Sequence, residues 1–407
     1  MEQEKIFTSY QKFMIAVLSF IQFTVVLDFM VLSPLGAILM PELHITPQQF
    51  GLVVSAYAFS AGASGLLAAG FADKFDRKKF LLFFYVGFLI GTAFCAMAPT
   101  YELLMAARIF TGIFGGVIGS VSVAVISDIF KSEVRGRVMG FVQMSFAASQ
   151  VLGLPIGLQL ANMFDWHAPF WMIVIVGILV GIIIMVKMQP LTQHLAYQKD
   201  GNPFVHLFHT VSKPHYLRAF SSTVLLATGG FMLMPFGSAF STKNLGLTLD
   251  QLPLLYAVTG VAALFFGPMI GKLSDRFGKY NMFVIGSAIS SLLVGIFCNL
   301  GTTPLQIIMV INVIMFAGIS SRMISASALM TSVPNLEDRG AFMSVNSSIQ
   351  QISGGLASLL AGAIVVKAPD GHLERYDWLG YTVIASMVIS VILMKWVDNF
   401  VKNKEAK

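Results

Sequence analysis

The sequence predicts an all-α polytopic membrane protein with twelve transmembrane helices in two pseudo-symmetric six-helix bundles. Hydrophobic residues make up 56% of the 407 residues and charged residues only 11%, whereas a soluble domain carries about 25% charged residues. The mean hydropathy is +0.78. A hinge sequence also occurs twice, because the segment from Gly271 to Lys279 matches the one from Ala69 to Lys78 and aligns Asp275 with Asp73. The chain therefore consists of two related halves.

The predicted helices follow from the length of the apolar stretches. Crossing the hydrocarbon of a membrane takes roughly 20 apolar residues. Twelve stretches meet this need, near residues 13–39, 48–72, 80–98, 102–128, 137–160, 168–187, 218–242, 252–274, 280–300, 305–332, 340–366 and 378–397. The longest polar connection, residues 188–216, predicts a cytoplasmic linker between domains of residues 1–187 and 217–407. The other loops are too short for a catalytic domain, so we expect no enzyme.

The basic residues predict the orientation of the chain. If the N-terminus is cytoplasmic, only Lys243, Lys367 and Arg375 of the 26 Lys and Arg fall outside, while Arg108 and Arg322 fall within helices. All the others lie inside, as the positive-inside rule requires. Topology and anionic inner-leaflet lipid thus explain the net charge of +6, and no nucleic-acid partner is expected. We expect a monomer in a bacterial inner membrane, in contact with membrane lipids, with both termini cytoplasmic.

Metals, cofactors and disulfides are not expected. Cys95 and Cys298 lie in apolar runs of opposite halves, which is typical of small core residues. No cluster of His, Cys and acidic residues has metal-ligand spacing, and no phosphate-binding loop is present in the sequence. ATP is therefore not the expected energy source.

The repeated hinge resembles the signature of the major facilitator superfamily, and the resemblance covers nearly the whole chain. The copy from Gly271 to Lys279 matches the family's hinge between the second and third helices of a half closely. In the first copy, Ala69 and Asp76 replace two glycines. The resemblance implies the family's fold of two six-helix bundles around a central cavity, in which rocking of the halves alternates access to the two sides of the membrane.

Charged residues at the hinges are candidates for gating. Asp73 and Asp275 end helices, where the helix dipole disfavours a carboxylate. We expect compensation from a facing helix N-terminus of the other half or from neighbouring basic residues such as Arg276, which would latch the halves when the cavity opens outward. The alternative is that these charges only set the topology. Asp128 resembles the acidic partner of the hinge and is expected to pair with Arg77, unless it is a solvated helix-end charge.

Two charges within the hydrocarbon predict proton coupling. Arg108 begins an Arg-x-x-x-Gly segment that resembles the family's second motif, whose arginine is associated with proton coupling, and Asp28 stands inside helix 1. A charge in hydrocarbon needs a partner or water. A dry pocket favours a protonated carboxyl and a nearby guanidinium favours the ionised one, so a change in their separation would load or release a proton. The alternative is a static ion pair.

A proline-containing segment of helix 5 indicates export. Gly153, Pro155 and Gly157 resemble the exporter motif of the family, although Leu154 stands between the first glycine and the proline. The resemblance implies antiport. The alternative is a kinked seam of small residues that only packs helices.

Candidate substrate contacts lie on helices expected to line the cavity. Arg322 in helix 10 has no counterpart in helix 4, and three roles are open to it: contact with an anionic substrate group, pairing with Asp28, or extension to the inner surface. Further candidates are Gln22, Phe23, Phe29, Met232, Asn312, Asn346 and Gln350. Aromatic and thioether surfaces suit apolar small molecules.

These features predict a proton-coupled secondary transporter that exports small organic or drug-like molecules by alternating access. The alternatives are a sugar or metabolite efflux permease or proton symporter, and a lipid or lysolipid transporter. A receptor or scaffold that transports nothing is disfavoured, because it gains little from charges within the membrane.

Overall fold

The computed structural model describes residues 7–68, 74–192, 195, 212–335 and 338–405. Within them, twelve long helices run back and forth through the molecule, and they are numbered here in chain order. They are α1 (Ser9–Glu42), α2 (Pro47–Ala68), α3 (Arg77–Met97), α4 (Tyr101–Ile129), α5 (Ser132–Ala148, continued by Leu154–Met163), α6 (Ala168–Lys187), α7 (Pro214–Phe231, continued by Gly237–Lys243), α8 (Leu252–Phe277), α9 (Lys279–Phe297), α10 (Leu305–Ser332), α11 (Arg339–Ile364) and α12 (Tyr376–Glu405). A two-residue hairpin of β1 (Val366–Lys367) and antiparallel β2 (Leu373–Glu374) joins α11 to α12.

The predicted twelve-helix architecture is confirmed. Eleven of these helices in the described residues are long and apolar enough to cross a membrane. The twelfth, α11, has 26 residues and is rich in Ser and Gly, and its length suffices to span the hydrocarbon. Two helices are interrupted: a π-helical turn at Ser149–Gly153 breaks α5, and a 3₁₀ turn at Met234–Phe236 breaks α7.

The connection between α6 and α7 nearly coincides with the predicted linker. Helix α6 ends at Lys187, whereas α7 already begins at Pro214, inside the predicted linker, because a proline fits the first turn of a helix. Residues 193–194 and 196–211 of the linker lie outside the described residues. The division into domains therefore stays a prediction.

The two ends of the molecule are named here by their connections. The terminal end holds Thr8, where α1 is capped, and Glu405, where α12 ends, together with the α2–α3 and α8–α9 hinges. The distal end holds the turns that follow α1, α3, α5, α7, α9 and α11. An even number of crossings puts both chain ends on one side.

Helices α2 and α11 hold the halves together along most of their length. A Cβ atom on Gly51 would lie 2.7 Å from the carbonyl oxygen of Ser358, and one on Gly362 would lie 2.8 Å from that of Pro47. Nearer the terminal end, a Cβ on Gly62 would lie 3.0 Å from the carbonyl oxygen of Ser348. Small residues thus let the two backbones approach closely, as is common between helices in lipid.

Helices α5 and α8 separate toward the terminal end. At the distal end Asn162 Nδ2 donates to the carbonyl of Leu249 at 3.0 Å, and in mid-helix a Cβ on Gly260 would lie 2.8 Å from Val151 Cα. Further toward the terminal end, no described atom lies within 4 Å of a Cβ placed on Gly140 of α5 or on Gly271 of α8. The cleft between the halves therefore opens toward the terminal end.

Helices α1 and α7 close the distal end. Ser238 Oγ of α7 donates to the carbonyl of Ser33 in α1 at 3.3 Å. A Cβ on Gly36 would lie 3.1 Å from the carbonyl oxygen of Pro235. In this conformation the halves meet at the distal end, while α5 and α8 lie apart toward the terminal end.

Candidate functional site

A buried ion pair joins α1 and α4. Arg108 Nη1 lies 2.8 Å from Asp28 Oδ2, and the two side chains are 1% and 0% exposed. The same nitrogen lies 3.4 Å from the carbonyl oxygen of Asp28. Because two opposite charges in hydrocarbon are tolerated only when they are paired, each residue supplies the partner that the other needs. The sequence predicted that the two side chains can meet, and the structure brings them together.

A hydroxyl group on α3 completes the surroundings of the carboxylate. Thr92 Oγ1 lies 3.1 Å from Asp28 Oδ1 and 3.0 Å from the carbonyl oxygen of Phe88. A threonine hydroxyl carries one hydrogen, so it donates to one of these oxygens at a time. Both oxygens of the Asp28 carboxylate thus have a partner.

Tyr57 of α2 lies beneath the guanidinium. The Cζ atom of Arg108 is 4.5 Å from the centre of the Tyr57 ring, a distance at which a cation and an aromatic face attract each other. The close approach of α2 and α4 depends on Gly112, because a Cβ there would lie 2.6 Å from the carbonyl oxygen of Tyr57. The Arg-x-x-x-Gly segment therefore provides both the cation and the close contact that positions the ring. Arg108 Nε, also buried, has no hydrogen-bond partner among the described residues.

Arg77 of the first hinge forms the predicted pair with Asp128, near the end of α4, at the terminal end. Arg77 Nε donates to Asp128 Oδ2 at 3.1 Å, so the expected pairing of these two residues is confirmed, while its role in gating stays a prediction. Asp73, the acidic residue of this hinge that aligns with Asp275, lies outside the described residues. The latch expected at Asp73 therefore stays a prediction.

The two hinges turn differently, for a physical reason. Gly278 has φ of 90°, a conformation that a residue with a Cβ adopts only with strain. Asp76 replaces glycine at the equivalent position and has φ of −55°, and its side chain caps α3 by accepting from Lys78 N at 2.9 Å. It also accepts from Leu191 N at 3.0 Å, which ties the segment after α6 to the hinge.

Among the described residues, no ion pair latches the second hinge in this conformation. Asp275 lines a polar groove with Lys279, Asp398 and Lys402 at the terminal end, and the guanidinium of Arg276 lies 5.5 Å from the ring centre of Phe277. Arg135, near the start of α5 in the other half, donates to the carbonyls of Phe130 and Ser127 at the end of α4. An open terminal end is the state in which the expected latch is released.

The glycines of the helix-5 motif pack against α1. A Cβ on Gly153 would lie 2.5 Å from Leu27 Cδ1, and one on Gly157 would lie 3.2 Å from Val31 Cγ2. Leu154 follows the π-helical turn directly, and Pro155 occupies the first turn of the helix that continues α5. The motif thus forms a packing seam next to the residue that precedes Asp28, which joins the exporter motif to the ion pair through α1.

Arg322 takes neither of two expected positions. Its side chain is 2% exposed, so it does not extend to the surface, and it does not pair with Asp28, whose carboxylate is held by Arg108. Its Nη2 instead donates to Ser390 Oγ of α12 at 2.9 Å, and its Cζ lies 5.4 Å from the ring centre of Phe283. The contact with an anionic substrate group remains open.

The other substrate candidates differ in accessibility. Met232 is fully buried at the break of α7, whereas Gln22, Phe23, Phe29, Asn312, Asn346 and Gln350 are half-buried. Phe29 and Phe231 bring their rings within 5.8 Å of each other across the two halves. Asn346 accepts a hydrogen bond from Thr223 at 2.5 Å, and Asn312 Nδ2 donates to the carbonyl of Ile308 at 3.0 Å.

Sequence reasoning missed Thr92, Tyr57 and the clasp at the start of α11. In that clasp, Asp338 Oδ2 accepts from Lys213 Nζ at 2.6 Å and from Tyr216 OH at 2.8 Å. Single hydroxyl groups and aromatic rings in an apolar run carry no periodic signal, because helical spacing does not show which neighbouring helix a side chain faces. The sequence shows Thr92 only as a single hydroxyl group within the apolar run of helix 3.

The family model described as Major Facilitator Superfamily matches residues 18–222 and 219–407. The curated relatives include the uncharacterized MFS-type transporter YceJ of Bacillus subtilis, 28% identical over 65% of this chain and 68% of the relative. Multidrug resistance protein 3 of the same organism is 33% identical over 32% of this chain and 26% of its own length. A probable sugar efflux transporter of Helicobacter pylori is 22% identical over 58% of this chain and 60% of its own length.

The arrangement of helices also matches a solved structure. The crystal structure of a D-xylose-proton symporter superposes with a TM-score of 0.77 at 17% identity, covering 94% of this chain and 97% of that one. At this identity the likeness concerns the fold. Since the family model covers both halves, the chain belongs to the Major Facilitator Superfamily, and it is a multi-pass membrane transporter and not an enzyme.

Proposed function

We propose that the protein is a proton-coupled secondary transporter that exports small organic molecules by alternating access. One observation carries the proposal: Asp28 of α1 and Arg108 of α4, both buried, are held 2.8 Å apart. A static ion pair buried in lipid brings little net stability, because the desolvation of two charges offsets most of their attraction. Exchange of a proton during the transport cycle would explain why two charges that add little stability lie within the membrane.

The mechanism follows from the partners of the two residues. In the conformation with the open terminal end, the closed pair corresponds to an ionised Asp28 and a proton already released to that side. Rocking of the halves that draws α1 away from α4 would leave the carboxylate without the guanidinium, which favours uptake of a proton. Arg108 would keep the Tyr57 ring, 4.5 Å away in this conformation, as a neutral partner in the meantime.

Export is favoured by the helix-5 motif and by the relatives. Gly153 and Gly157 set the contact between α5 and α1 beside Asp28, so a movement of α5 is passed to the helix that carries the proton site. Two of the relatives are named as a multidrug resistance protein and a sugar efflux transporter. We place the protein in a bacterial inner membrane, with the terminal end in the cytoplasm, on the strength of the bias of basic residues.

Reconstitution into liposomes tests this function. A pH gradient is imposed and internal pH is followed while a panel of probes is added: naphthalene-2-sulfonate, its neutral sulfonamide, a quaternary naphthylmethylammonium, and D-xylose. We expect at least one probe to drive proton flux through the wild type. Asp28→Asn should abolish this flux and keep the exchange of probe for probe.

The control is Asp165→Asn, the same chemical change at a residue whose side chain is 53% exposed at the distal end, and it should leave the flux intact. Coupling at the wild-type level in Asp28→Asn would refute the assignment of the proton site.

A sugar or metabolite efflux permease is the second candidate. It is favoured by the sugar efflux relatives and by amide side chains on α11, where Gln350 is half-buried one turn from Asn346. The same panel separates the two, because this candidate requires D-xylose to drive more flux than the naphthyl probes.

A further inference from the structure

We propose that Arg322 anchors a subsite for organic anions, so that the substrate class is a small apolar molecule with one carboxylate or sulfonate group. The subsite consists of the Arg322 guanidinium, the Ser390 hydroxyl and the gap beside Gly229, and it is called the Arg322 subsite below. This inference rests on the proposed function and adds to it the charge of the substrate.

The guanidinium is buried without an anionic partner. Its described hydrogen bond goes to the neutral hydroxyl of Ser390, and no carboxylate among the described residues lies within ion-pair distance of it. Its Nε atom is buried and has no hydrogen-bond partner within the described chain. An arginine has five N–H donors in a planar fork that matches the two oxygens of a carboxylate, so most of this donor set is available to a ligand.

The neighbouring hydroxyl groups do not replace an anion. Ser390 Oγ donates its own hydrogen to the carbonyl of Met387 at 2.7 Å, and Ser386 Oγ donates to that of Leu225 at 3.0 Å. Ser390 Oγ accepts from the guanidinium, and neither hydroxyl carries a charge. The buried cation of the other half differs, because Arg108 has the carboxylate of Asp28.

Access to the guanidinium runs past a bare backbone. A Cβ on Gly229 of α7 would lie 3.5 Å from Arg322 Nη1, whereas a Cβ on Gly230 would have no described atom within 4 Å. The first part of α7 ends one residue later, at Phe231. Beside Arg322, α7 thus presents two successive glycines at a break of the helix, where a small movement would admit an acidic group.

The charge within the membrane favours the same class of substrate. Asp28, Arg108 and Arg322 are the charges buried in the middle of the described helices, and Arg108 compensates Asp28. One positive charge is left while Asp28 is ionised, which is the state proposed above for the open terminal end. A low-dielectric interior with this sign attracts anions and repels cations.

Binding of three isosteric probes to the purified, detergent-solubilised full-length protein tests the subsite. The probes are naphthalene-2-sulfonate, naphthalene-2-sulfonamide and quaternary naphthylmethylammonium, and the readout is the dissociation constant from tryptophan fluorescence. We expect the wild type to prefer the sulfonate. Arg322→Gln should weaken its binding about 10- to 100-fold, as expected for the loss of hydrogen bonds to a charged group, and should leave the sulfonamide nearly unchanged.

Two glycine variants test whether a substitution weakens sulfonate binding by blocking the Arg322 subsite or by disturbing the fold. Gly229→Ala places a methyl group in the gap at an ordinary contact distance, so it should fold and weaken sulfonate binding. Gly230→Ala makes the same change one residue away, against open space, and should bind like the wild type. The inference is overturned if the wild type shows no preference for the sulfonate, if the ammonium binds best, or if Arg322→Gln binds the sulfonate as the wild type does.

The outcome is independent of proton coupling. If proton flux is lost in Asp28→Asn but the wild type prefers the ammonium probe, the proposed function stands and the Arg322 subsite fails. If the sulfonate binds through Arg322 but no probe drives proton flux, the reverse holds.

Discussion

At the scale of single residues, Thr92 offers a hydrogen bond to Asp28 in both protonation states. When Asp28 is ionised, the Thr92 hydroxyl can donate to Oδ1, 3.1 Å away. When Asp28 is protonated, its own O–H can donate to Thr92 Oγ1, while the threonine hydrogen turns to the Phe88 carbonyl at 3.0 Å. A buried group left without a partner is costly, so this exchange lets a proton come and go without an unsatisfied oxygen. Thr92 acts through Asp28 and is a positioning residue.

Substitutions at Thr92 test this exchange. Thr92→Val removes the donor at nearly constant shape, and it should move the midpoint of the pH profile of coupled transport upward by about one unit, because the ionised carboxylate loses a charge-assisted bond. Thr92→Ser keeps the hydroxyl and should restore the wild-type profile. The measurement is proton flux in liposomes as a function of pH. A profile that is identical for Val and wild type, or for Val and Ser, contradicts the role.

At the scale of helices, glycine positions decide which pairs approach and which separate. On α4, a Cβ on Gly112 would lie 2.6 Å from the Tyr57 carbonyl oxygen and one on Gly116 would lie 2.2 Å from that of Ala61, whereas Gly119 meets no described atom within 4 Å. The first two glycines bring α2 against α4 and so place the Tyr57 ring under Arg108. Gly119 faces open space and packs against no described helix in this conformation.

Alanine substitutions on α4 distinguish these glycines. Gly112→Ala should lower the thermal stability of the purified protein, since overpacking of a tight contact costs about 1–3 kcal/mol. Gly119→Ala is the matched control on the same helix, and it should leave stability unchanged or raise it, because alanine favours helix by about 1 kcal/mol. Equal melting temperatures for the two variants would contradict the α2–α4 contact.

At the scale of the whole molecule, the helices and the two halves could be predicted from the sequence, because the length of the apolar stretches and the repeat of the hinge are visible in it. Which helices touch across the halves could not be predicted, since it depends on three-dimensional contacts such as that of Gly260 with Val151. The pair of Asp28 and Arg108 followed from the cost of unpaired charge in lipid. The burial of Arg322 beside a serine could not be predicted. Helix α10 is apolar on several faces, so the hydrophobic periodicity does not determine its rotation about the helix axis.

The contact between the halves at the distal end leads to a prediction about their separation during transport. Cysteines at positions 162 and 249, in the double variant Asn162→Cys, Leu249→Cys, should be joined by a short, reducible bis-methanethiosulfonate reagent, because Asn162 Nδ2 and the Leu249 carbonyl oxygen are 3.0 Å apart and the native Cys95 and Cys298 are free and buried. The cross-link would hold α5 against α8 and stop transport, and reduction should restore it. Full transport by the cross-linked protein would show that the halves do not separate there.

The most direct test of the account is infrared difference spectroscopy of the carboxyl group of Asp28 in two conformations. The cross-linked variant supplies the conformation closed at the distal end, and the reduced protein with a transported probe supplies the cycling one. The account predicts that the C=O band of a protonated carboxyl, absent in Asp28→Asn, appears only in the reduced protein. A carboxyl group that stays ionised, or stays protonated, in both samples would contradict it.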